Sequence, residues 1–169
     1  GRLNLASDAL ALNQLVAEAV RDMDALAELH DIRITTDLAP VVVNGDADRL
    51  RQVVLILLDN AIRYSPAATT VDVTLTRGGK RAVLVIADAG PGMSLEQQRH
   101  VFDRFYRGDS ARAAAQTDAG TGLGLAIAQT IVAAHRGTIA VRSQPGHGAT
   151  FTVRIPSLPA TSPATSSEG

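Results

Sequence analysis

The chain is first informative for what it lacks. It contains no cysteine, which excludes a disulfide framework and a cysteine-ligated metal site. Its strongest apolar run, VVLILL at 53–58, is far too short to cross a bilayer, which takes about 20 residues. A formal net charge of −1 argues against a general nucleic-acid binder, because such proteins carry a clear basic excess. No two of its four histidines have the spacing of a metal site. The 169 residues are therefore expected to form one globular domain with a real core.

Apolar residues recur at helical spacing in several segments of the chain. In each of the three longer segments they fall at i, i+3 and i+4, which is the pattern of an amphipathic helix that buries one face. A side chain suited to an N-cap stands near the start of two of them. The predicted helices are 12–29 with Asn13 as N-cap, 47–63 with Asp46 as N-cap, the shorter 94–102, and 122–136.

Strands are predicted between these helices from β-branched enrichment and turn residues. The order of elements predicts an α+β fold, a two-layer α/β sandwich whose mixed, mostly antiparallel sheet carries three helices on one face. The end of the chain, rich in serine, proline, alanine and threonine, is expected to be a disordered tail over 157–169. The predicted strands are 32–38, 41–43, 70–76, 81–88, 138–143 and 149–156.

Three glycines alternate where the last helix should begin, in DAGTGLGLAIAQTIVAAHRG at 118–137. Glycine lowers helix stability by about 1 kcal/mol relative to alanine, so its repeated use at 120, 122 and 124 asks for a reason. One possible reason is a flexible hinge. The other is anion binding, because bare backbone N–H groups at a helix N-terminus bind phosphate. The segment is not a dinucleotide fingerprint, since Leu125 occupies the place of its last glycine.

Two further clusters carry polar chemistry at the ends of apolar elements. Asn60, beside Arg63 and Tyr64, offers an amide oxygen and a guanidinium next to a ring, which suits a metal-bound phosphate and a base. The alternative is a capping or surface asparagine. Asp88 ends an apolar strand and precedes Gly90 and Gly92, so its carboxylate can accept from an exocyclic amine while the glycines leave room for a flat ring. The alternative there is an ordinary turn with an Asx cap.

Taken in order, five motifs resemble the N, G1, F, G2 and G3 boxes of sensor histidine kinases, within the superfamily of gyrase, Hsp90, histidine kinase and MutL. They are LLDNAIRYS (57–65), DAGPGM (88–93), VFDRFYR (101–107), GTGLGL (120–125) and GHGATF (146–151). The resemblance runs from about residue 3 to residue 156. It implies the Bergerat ATP-binding fold, with ATP and Mg²⁺ as ligands and protein-histidine kinase activity.

The resemblance also implies a role for each matched residue. Asn60 would hold Mg²⁺ and, with Arg63, would serve catalysis at the phosphates, while Asp88 would recognise the adenine amino group. Residues 103–121 would form an ATP lid, with Phe102 and Phe105 as its apolar anchors, and this lid is expected to be mobile without nucleotide. Gly146 and Gly148 would shape the far side of the pocket. The residues implied to bind the nucleotide are Asn60, Arg63, Tyr64, Asp88, Gly90, Gly92, Met93, Phe105, Gly120, Thr121, Gly122, Leu123, Gly124 and Thr150.

Three positions depart from the family pattern. Ile56 stands where many members have asparagine and the ATP-hydrolysing relatives have glutamate, Ala89 replaces a common asparagine, and Arg63 replaces lysine. Isoleucine can neither help a metal nor orient water, so efficient hydrolysis is not expected. Transfer to a neutral imidazole needs less help, because phosphoryl transfer depends mainly on positioning and charge neutralisation. The sequence therefore favours a kinase over an ATPase.

None of the histidines lies in the family's phosphoacceptor motif, and His135, at a predicted helix C-terminus, is expected to be structural, with a partly charged ring offsetting the helix dipole. The resemblance thus implies transfer to a histidine on a separate dimerisation domain, in a two-component system with a response regulator. Residues 1–11 would be the end of the linker from that domain, 12–156 the catalytic domain, and the isolated fragment a monomer. The full protein would be an inner-membrane sensor with this domain in the cytoplasm.

Two other functions stay open at this point. One is a serine kinase of the anti-sigma-factor type, against which the F box and the opening GRLNL argue. The other is a degenerate nucleotide-binding module that regulates its dimer without transferring phosphate, a possibility that Ile56 supports.

Overall fold

A computed structural model describes residues 5–105 and 123–159, which form two sheets and a layer of helices. The five-stranded sheet has the order β2-β4-β5-β7-β6; its pairs are antiparallel except for the parallel β2–β4 pair. A second sheet pairs β1 with β3. The elements are β1 Asp8–Ala11, α1 Leu12–Asp22, α2 Asp24–Leu29, β2 Ile32–Leu38, β3 Val42–Gly45, α3 Ala47–Tyr64, β4 Thr69–Gly78, β5 Arg81–Ala87, α4 Leu95–His100, α5 Gly124–Ala134, β6 Thr138–Ser143 and β7 Ala149–Pro156.

One face of the large sheet is buried against the helices and the other is open. Along β4 the inward residues Val71, Val73 and Leu75 are buried, while their neighbours are half-buried or exposed, as the two-residue period of a strand requires. Each such side chain, fully buried, contributes about 1.5–3 kcal/mol. The predicted two-layer α+β sandwich with a mixed, mostly antiparallel sheet is confirmed.

Helix α3 is the central helix of this layer. Asp46 caps it by accepting from the Arg49 N–H, and Ser65 and Pro66 end it. Its apolar stripe, which includes Leu57 and Leu58, lies in the core. Among the residues that the structure describes, no helix combines the length and the apolar character that crossing a bilayer requires.

The first predicted helix is in fact two. The chain leaves the helix at Met23, whose N–H bonds to the carbonyls of both Ala19 and Val20, and α2 then begins at Asp24. A tightened turn of this kind is common where a helix ends, and periodicity alone does not show it. Asn13 is not the N-cap either: Ala11 holds that position, and the Asn13 side chain instead accepts from the Val41 N–H at 3.4 Å.

Both ends of the described chain take part in the fold more than the sequence predicts. Strand β1, DALA, lies in the range predicted as linker; it has no β-branched or aromatic residue to signal a strand, and it forms by pairing with β3. At the other end, Ser157 donates to the Lys80 carbonyl and Leu158 to the Val42 carbonyl, so the predicted disorder is wrong for these two residues. Residues 160–169 lie outside the described part of the chain.

Candidate functional site

The carboxylate of Asp88 is fixed by the backbone around it. Asp88 follows β5, and its Oδ1 accepts from the N–H groups of Gly90, at 2.9 Å, and Ala149, at 3.1 Å. Its own N–H donates to the Ala149 carbonyl at 2.9 Å. The bond to Gly90 is the Asx turn that the sequence left as an alternative, and the bond to Ala149 joins this turn to β7. Two donors on one oxygen fix the plane of the carboxylate, so its second oxygen, which is buried, has a defined direction.

The glycines around Asp88 are required by the chain itself. A Cβ at Gly90 would lie 2.8 Å from the Tyr64 carbonyl oxygen. At Gly92, where φ is +76°, a Cβ would overlap the Gln144 carbonyl oxygen. At Gly148, where φ is +74°, a Cβ would overlap the carbonyl oxygen of Asp88. The sequence explained Gly90 and Gly92 by room for a flat ligand ring; the structure shows instead that neighbouring backbone fills the space beside them.

Two side chains that were not predicted from the sequence join the loop after β5 to the turn between β6 and β7. Ser143 Oγ accepts from the Met93 N–H at 2.7 Å and donates to the Gly148 carbonyl at 2.6 Å. Gln98 Nε2 donates to the carbonyls of Met93 and Ser143. Met93 itself is only 2% exposed and belongs to the core. A serine at a strand end and a glutamine on a short helix carry no signal in a single sequence, because their roles depend on contacts about 45–50 residues away.

The C-terminal half of α3 brings the second group of residues to this loop. Ser65, also missed, accepts from the Ala89 N–H at 3.4 Å, and Tyr64 is buried beside Gly90. Asn60 is half-buried, and its Nδ2 atom is buried without a hydrogen-bond partner among the described residues. A buried amide nitrogen without a partner is rare and asks for an explanation.

Arg63 is held by a neighbour on its own helix. Its Nε donates to Asp59 Oδ1 at 2.9 Å, and both side chains are partly exposed. The i, i+4 spacing of Asp59 and Arg63 could have predicted this pair from the sequence. The remaining guanidinium nitrogens of Arg63 are its Nη atoms, which form the outer fork of the side chain.

The start of α5 lies against α3 one turn before Asn60. A Cβ at Gly124 would be 3.4 Å from Ile56 Cγ2, an ordinary contact, so this glycine is not required by space. Leu123 is the N-cap residue, and no side chain caps this helix end among the described residues. The predicted phosphate-binding residues Gly120, Thr121 and Gly122, and most of the predicted lid, lie outside the described residues.

Two predicted site residues, Thr150 and Phe105, have side chains that face away from the core. Thr150 alternates with the buried Ala149 and Phe151, so its side chain faces the side of the sheet away from α3; its neighbours there are Ala87 and Arg142. Phe105 is 67% exposed, with φ +65°. Phe102, by contrast, packs edge to face on Phe151 with ring centroids 6.2 Å apart.

His135 is structural, as predicted, but its ring is neutral. It is 7% exposed, and its Nδ1 donates to the Ile131 carbonyl while its Nε2 accepts from the Asp46 N–H. Because a carbonyl can only accept and an N–H can only donate, these two bonds fix the tautomer and leave no second proton on the ring. The expected partial charge against the helix dipole is therefore wrong.

Within 5–105 and 123–159, no three acidic or histidine side chains cluster as a metal site.

Comparison with known proteins identifies the family to which the chain is similar. The model of the histidine kinase-, DNA gyrase B- and HSP90-like ATPase family matches residues 45–159. The sensor-like histidine kinase SenX3 of Mycolicibacterium smegmatis is 42% identical over 154 residues, which are 90% of this chain and 39% of that protein. The sensor histidine kinase RppB of Synechocystis is 40% identical over 147 residues, 86% of this chain and 32% of that protein. The chain thus spans about a third of the length of these relatives.

Solved structures agree with the fold. The mycobacterial sensor histidine kinase MprB superposes with a TM-score of 0.78 at 29% identity, covering 90% of this chain and 98% of that one. The catalytic domain of the histidine kinase ThkA, at 23% identity and a TM-score of 0.77, covers 89% of this chain and 95% of that one and shows the same fold. With these matches and the fixed carboxylate of Asp88 facing α3, the chain belongs to the histidine kinase-, DNA gyrase B- and HSP90-like ATPase family.

Proposed function

We propose that this domain binds Mg²⁺-ATP and presents its γ-phosphoryl group to a histidine on a separate dimerisation domain of the same sensor kinase. The observation that carries the proposal is the fixed carboxylate of Asp88 next to the end of α3 that bears Asn60. The names of the relatives support a histidine kinase rather than the serine kinase of the anti-sigma-factor type.

Asp88 would select adenine. Its Oδ1 is already engaged by two backbone N–H groups, so the carboxylate cannot turn to suit another ligand. An ionised carboxylate only accepts hydrogen bonds, and it therefore fits the 6-amino group of adenine and not the 6-oxo group of hypoxanthine. A hydrogen bond to a charged group contributes about 1.5–3 kcal/mol, which is the expected size of this discrimination.

Asn60 would hold the metal at the other end of the site. Its amide nitrogen, which is buried without a partner among the described residues, is a donor and fits a phosphate oxygen of the ligand, while the amide oxygen would be the metal ligand. Mg²⁺ usually keeps several waters and takes few protein ligands beside phosphate oxygens, so one amide oxygen suffices. When bound, Mg²⁺ neutralises phosphate charge. Arg63 would contact a phosphate through its Nη atoms, and the first-turn N–H groups of α5 would face the phosphate chain.

Ile56 makes transfer more favourable than hydrolysis at this site. It is apolar and packs against Gly124, so it cannot orient a water one turn before Asn60. A neutral imidazole brings its own lone pair: the new N–P bond forms as the bond from phosphorus to the ADP oxygen breaks. His135 cannot be that acceptor, because both of its ring nitrogens are engaged inside the fold. None of the chain's four histidines lies in the family's phosphoacceptor motif, so the acceptor would belong to another domain.

Titration calorimetry with a single substitution tests the nucleotide site. In Asp88→Asn, the amide oxygen can still accept from Gly90 and Ala149, while the amide nitrogen now donates where the carboxylate accepted. We expect the wild type to bind ATP about tenfold more tightly than ITP in the presence of Mg²⁺, and the variant to reduce or reverse that ratio. Equal ATP binding by the two proteins would contradict the role of Asp88.

Phosphate transfer is tested with the dimerisation domain supplied in trans. Acid-labile phosphate on that domain after incubation with labelled ATP is the expected result. Acid-stable phosphate would favour the serine kinase, and nucleotide binding with no transfer would favour the regulatory module. We further propose that the full protein is a membrane sensor with this domain in the cytoplasm, and that a response regulator is the next phosphate acceptor.

A further inference from the structure

Three segments of the chain meet at Asp46, far from the nucleotide site. Its Oδ2 accepts from the N–H of Ala6, in the segment that leads into β1, at 3.0 Å. Its Oδ1 accepts from the Arg49 N–H at the start of α3, and its own N–H donates to His135 Nε2, just beyond α5. The hydrogen bonds from Arg49 and then Ala6 lower the pKa of this carboxyl below its ordinary value of 3.8. At neutral pH the ionised carboxylate of Asp46 thus holds two of these segments, and its backbone N–H holds the third.

The contact with His135 is closely fitted. A Cβ at Gly45 would lie 2.7 Å from His135 Cδ2, so only glycine lets the ring approach the backbone here. The ring is also fixed to its own helix through Nδ1 and the Ile131 carbonyl. The end of α5 is therefore attached to the beginning of α3 by a buried ring that has one tautomer and little freedom.

The two helices joined in this way are those that flank the proposed phosphate site. They run antiparallel, because His135 beyond the end of α5 meets Asp46 before α3, while Gly124 at the start of α5 meets Ile56. Asn60 lies about 21 Å along α3 from Asp46 at 1.5 Å per residue. Because the two helices are joined at the Asp46–His135 end, a tilt of α3 about that joint would change the spacing between Asn60 and the start of α5.

The entering segment reaches this point by two routes. Ala6 bonds directly to Asp46, and β1, which follows it, pairs with β3, whose last residue is Gly45. The entering segment therefore contacts the start of α3 at Asp46 before the chain continues through β1 into α1.

We infer that Asp46 is a positioning residue that couples the entering segment at Ala6 to the nucleotide site, with His135 as its second attachment. The inference rests on the proposed function, since it assumes that α3 and α5 bind the nucleotide. The two states are Ala6 bonded to Asp46 and Ala6 released. Because binding linkage is reciprocal, nucleotide should favour the bonded state by the same factor by which that state favours nucleotide.

The variant Asp46→Asn isolates the contact. Asparagine is as good an N-cap as aspartate, so its amide oxygen can keep the bond from Arg49, but its amide nitrogen cannot accept from Ala6. Asp48→Asn is the matched control: Asp48 is an exposed acidic residue in the same first turn of α3, and the charge change is identical. We expect Asp46→Asn to bind ATP about fivefold more weakly than the wild type and Asp48→Asn to bind it as the wild type does.

Amide hydrogen exchange at Ala6 distinguishes coupling from a purely structural role. Saturating ATP should slow exchange of this amide in the wild type and in Asp48→Asn, by about the same fivefold factor, and should have no effect in Asp46→Asn. Unchanged ATP affinity in Asp46→Asn, or Ala6 exchange that ATP does not alter, would overturn the inference alone. A wild type that binds no ATP would instead overturn the proposed function, and the inference with it.

Discussion

The two ends of the proposed nucleotide site are built in different ways. Around Asp88, backbone meets backbone: Gly92 lies against Gln144, Gly148 lies against Asp88, and the Gly146 N–H donates to the Pro91 carbonyl at 2.7 Å. At the phosphate end, the described parts are side chains on α3 and the start of α5. If the proposed site is correct, the base end would select by being fixed before the ligand arrives, whereas the phosphate end would complete its bonds with the ligand.

The largest expected effect tests how rigid the base end is. Gly148→Ala would place a methyl group on the Asp88 carbonyl oxygen at a left-handed φ, and we expect it to lower the free energy of unfolding by about 4 kcal/mol or more. Gly146→Ala, two residues earlier, has φ +83° but nothing within 4 Å, so only the backbone strain of about 1–2 kcal/mol should remain. Urea denaturation measures both variants. Equal losses would show that the base end is not closely packed.

At the phosphate end, Asn60→Ala should leave the fold intact and remove the amide proposed to hold Mg²⁺. We expect phosphoryl transfer to fall about 100-fold, as for the loss of one preorganised charge-stabilising group. Nucleotide binding measured without Mg²⁺ should change little, because the base end is untouched. An equal loss of binding with and without Mg²⁺ would assign Asn60 to the nucleotide rather than to the metal.

A smaller effect is expected at Asp59, whose carboxylate accepts from Arg63 Nε beside the proposed phosphate site. Asp59→Ala removes a partly exposed i, i+4 pair, which contributes about 0.5 kcal/mol or less to stability. It also removes a negative charge beside the phosphates, so ATP affinity should rise about twofold to threefold, and less at high salt. Asp22→Ala, which breaks the ion pair with Arg51 between α1 and α3, is the control and should not change ATP affinity. A fall in affinity on Asp59→Ala would mean that Asp59 orients Arg63 instead.

The smallest expected effect is a change in folding stability at acidic pH. Because the pKa of Asp46 is lowered in the folded state, the ionised carboxylate favours folding, and this contribution is present above its ordinary value of 3.8 and is lost as the pH falls through the lowered value. The wild type should therefore exceed Asp46→Asn in stability above pH 3.8 and lose that advantage as the pH falls through the lowered value. Urea titrations across this range measure the difference, with Asp48→Asn as the control. A difference that does not change with pH would contradict the assignment.

Much of the fold could be predicted because its signals are local. The apolar stripe of α3 and its cap at Asp46 are visible in a short window, and the prediction of 47–63 falls one residue short of the observed Ala47–Tyr64. Strands 138–143 and 149–156 have the observed bounds. Strand β1 and the break at Met23 were not predictable in this way, since pairing with β3 and the turn at the end of α1 override propensity.

In the candidate site, too, some features follow from local sequence signals and others from contacts between distant residues. The residue types that could meet a nucleotide, Asp88, Asn60 and Arg63, are apparent from their places at the ends of apolar elements. The sequence could not show that Gly90 and Gly92 lie against backbone from other parts of the chain, or that the Thr150 side chain follows the parity of β7 to the far face of the sheet. The ring of His135 needed a partner 89 residues away to fix its protonation.

By itself, the sequence determined which elements form and which of their ends carry polar groups, because hydrophobic period and capping act over a few residues. Only the tertiary structure decided which of those ends meet. Hydrogen bonds such as Ala149 to Asp88 and Asp46 to His135 join residues that are 61 and 89 positions apart, and their geometry depends on how the layers pack.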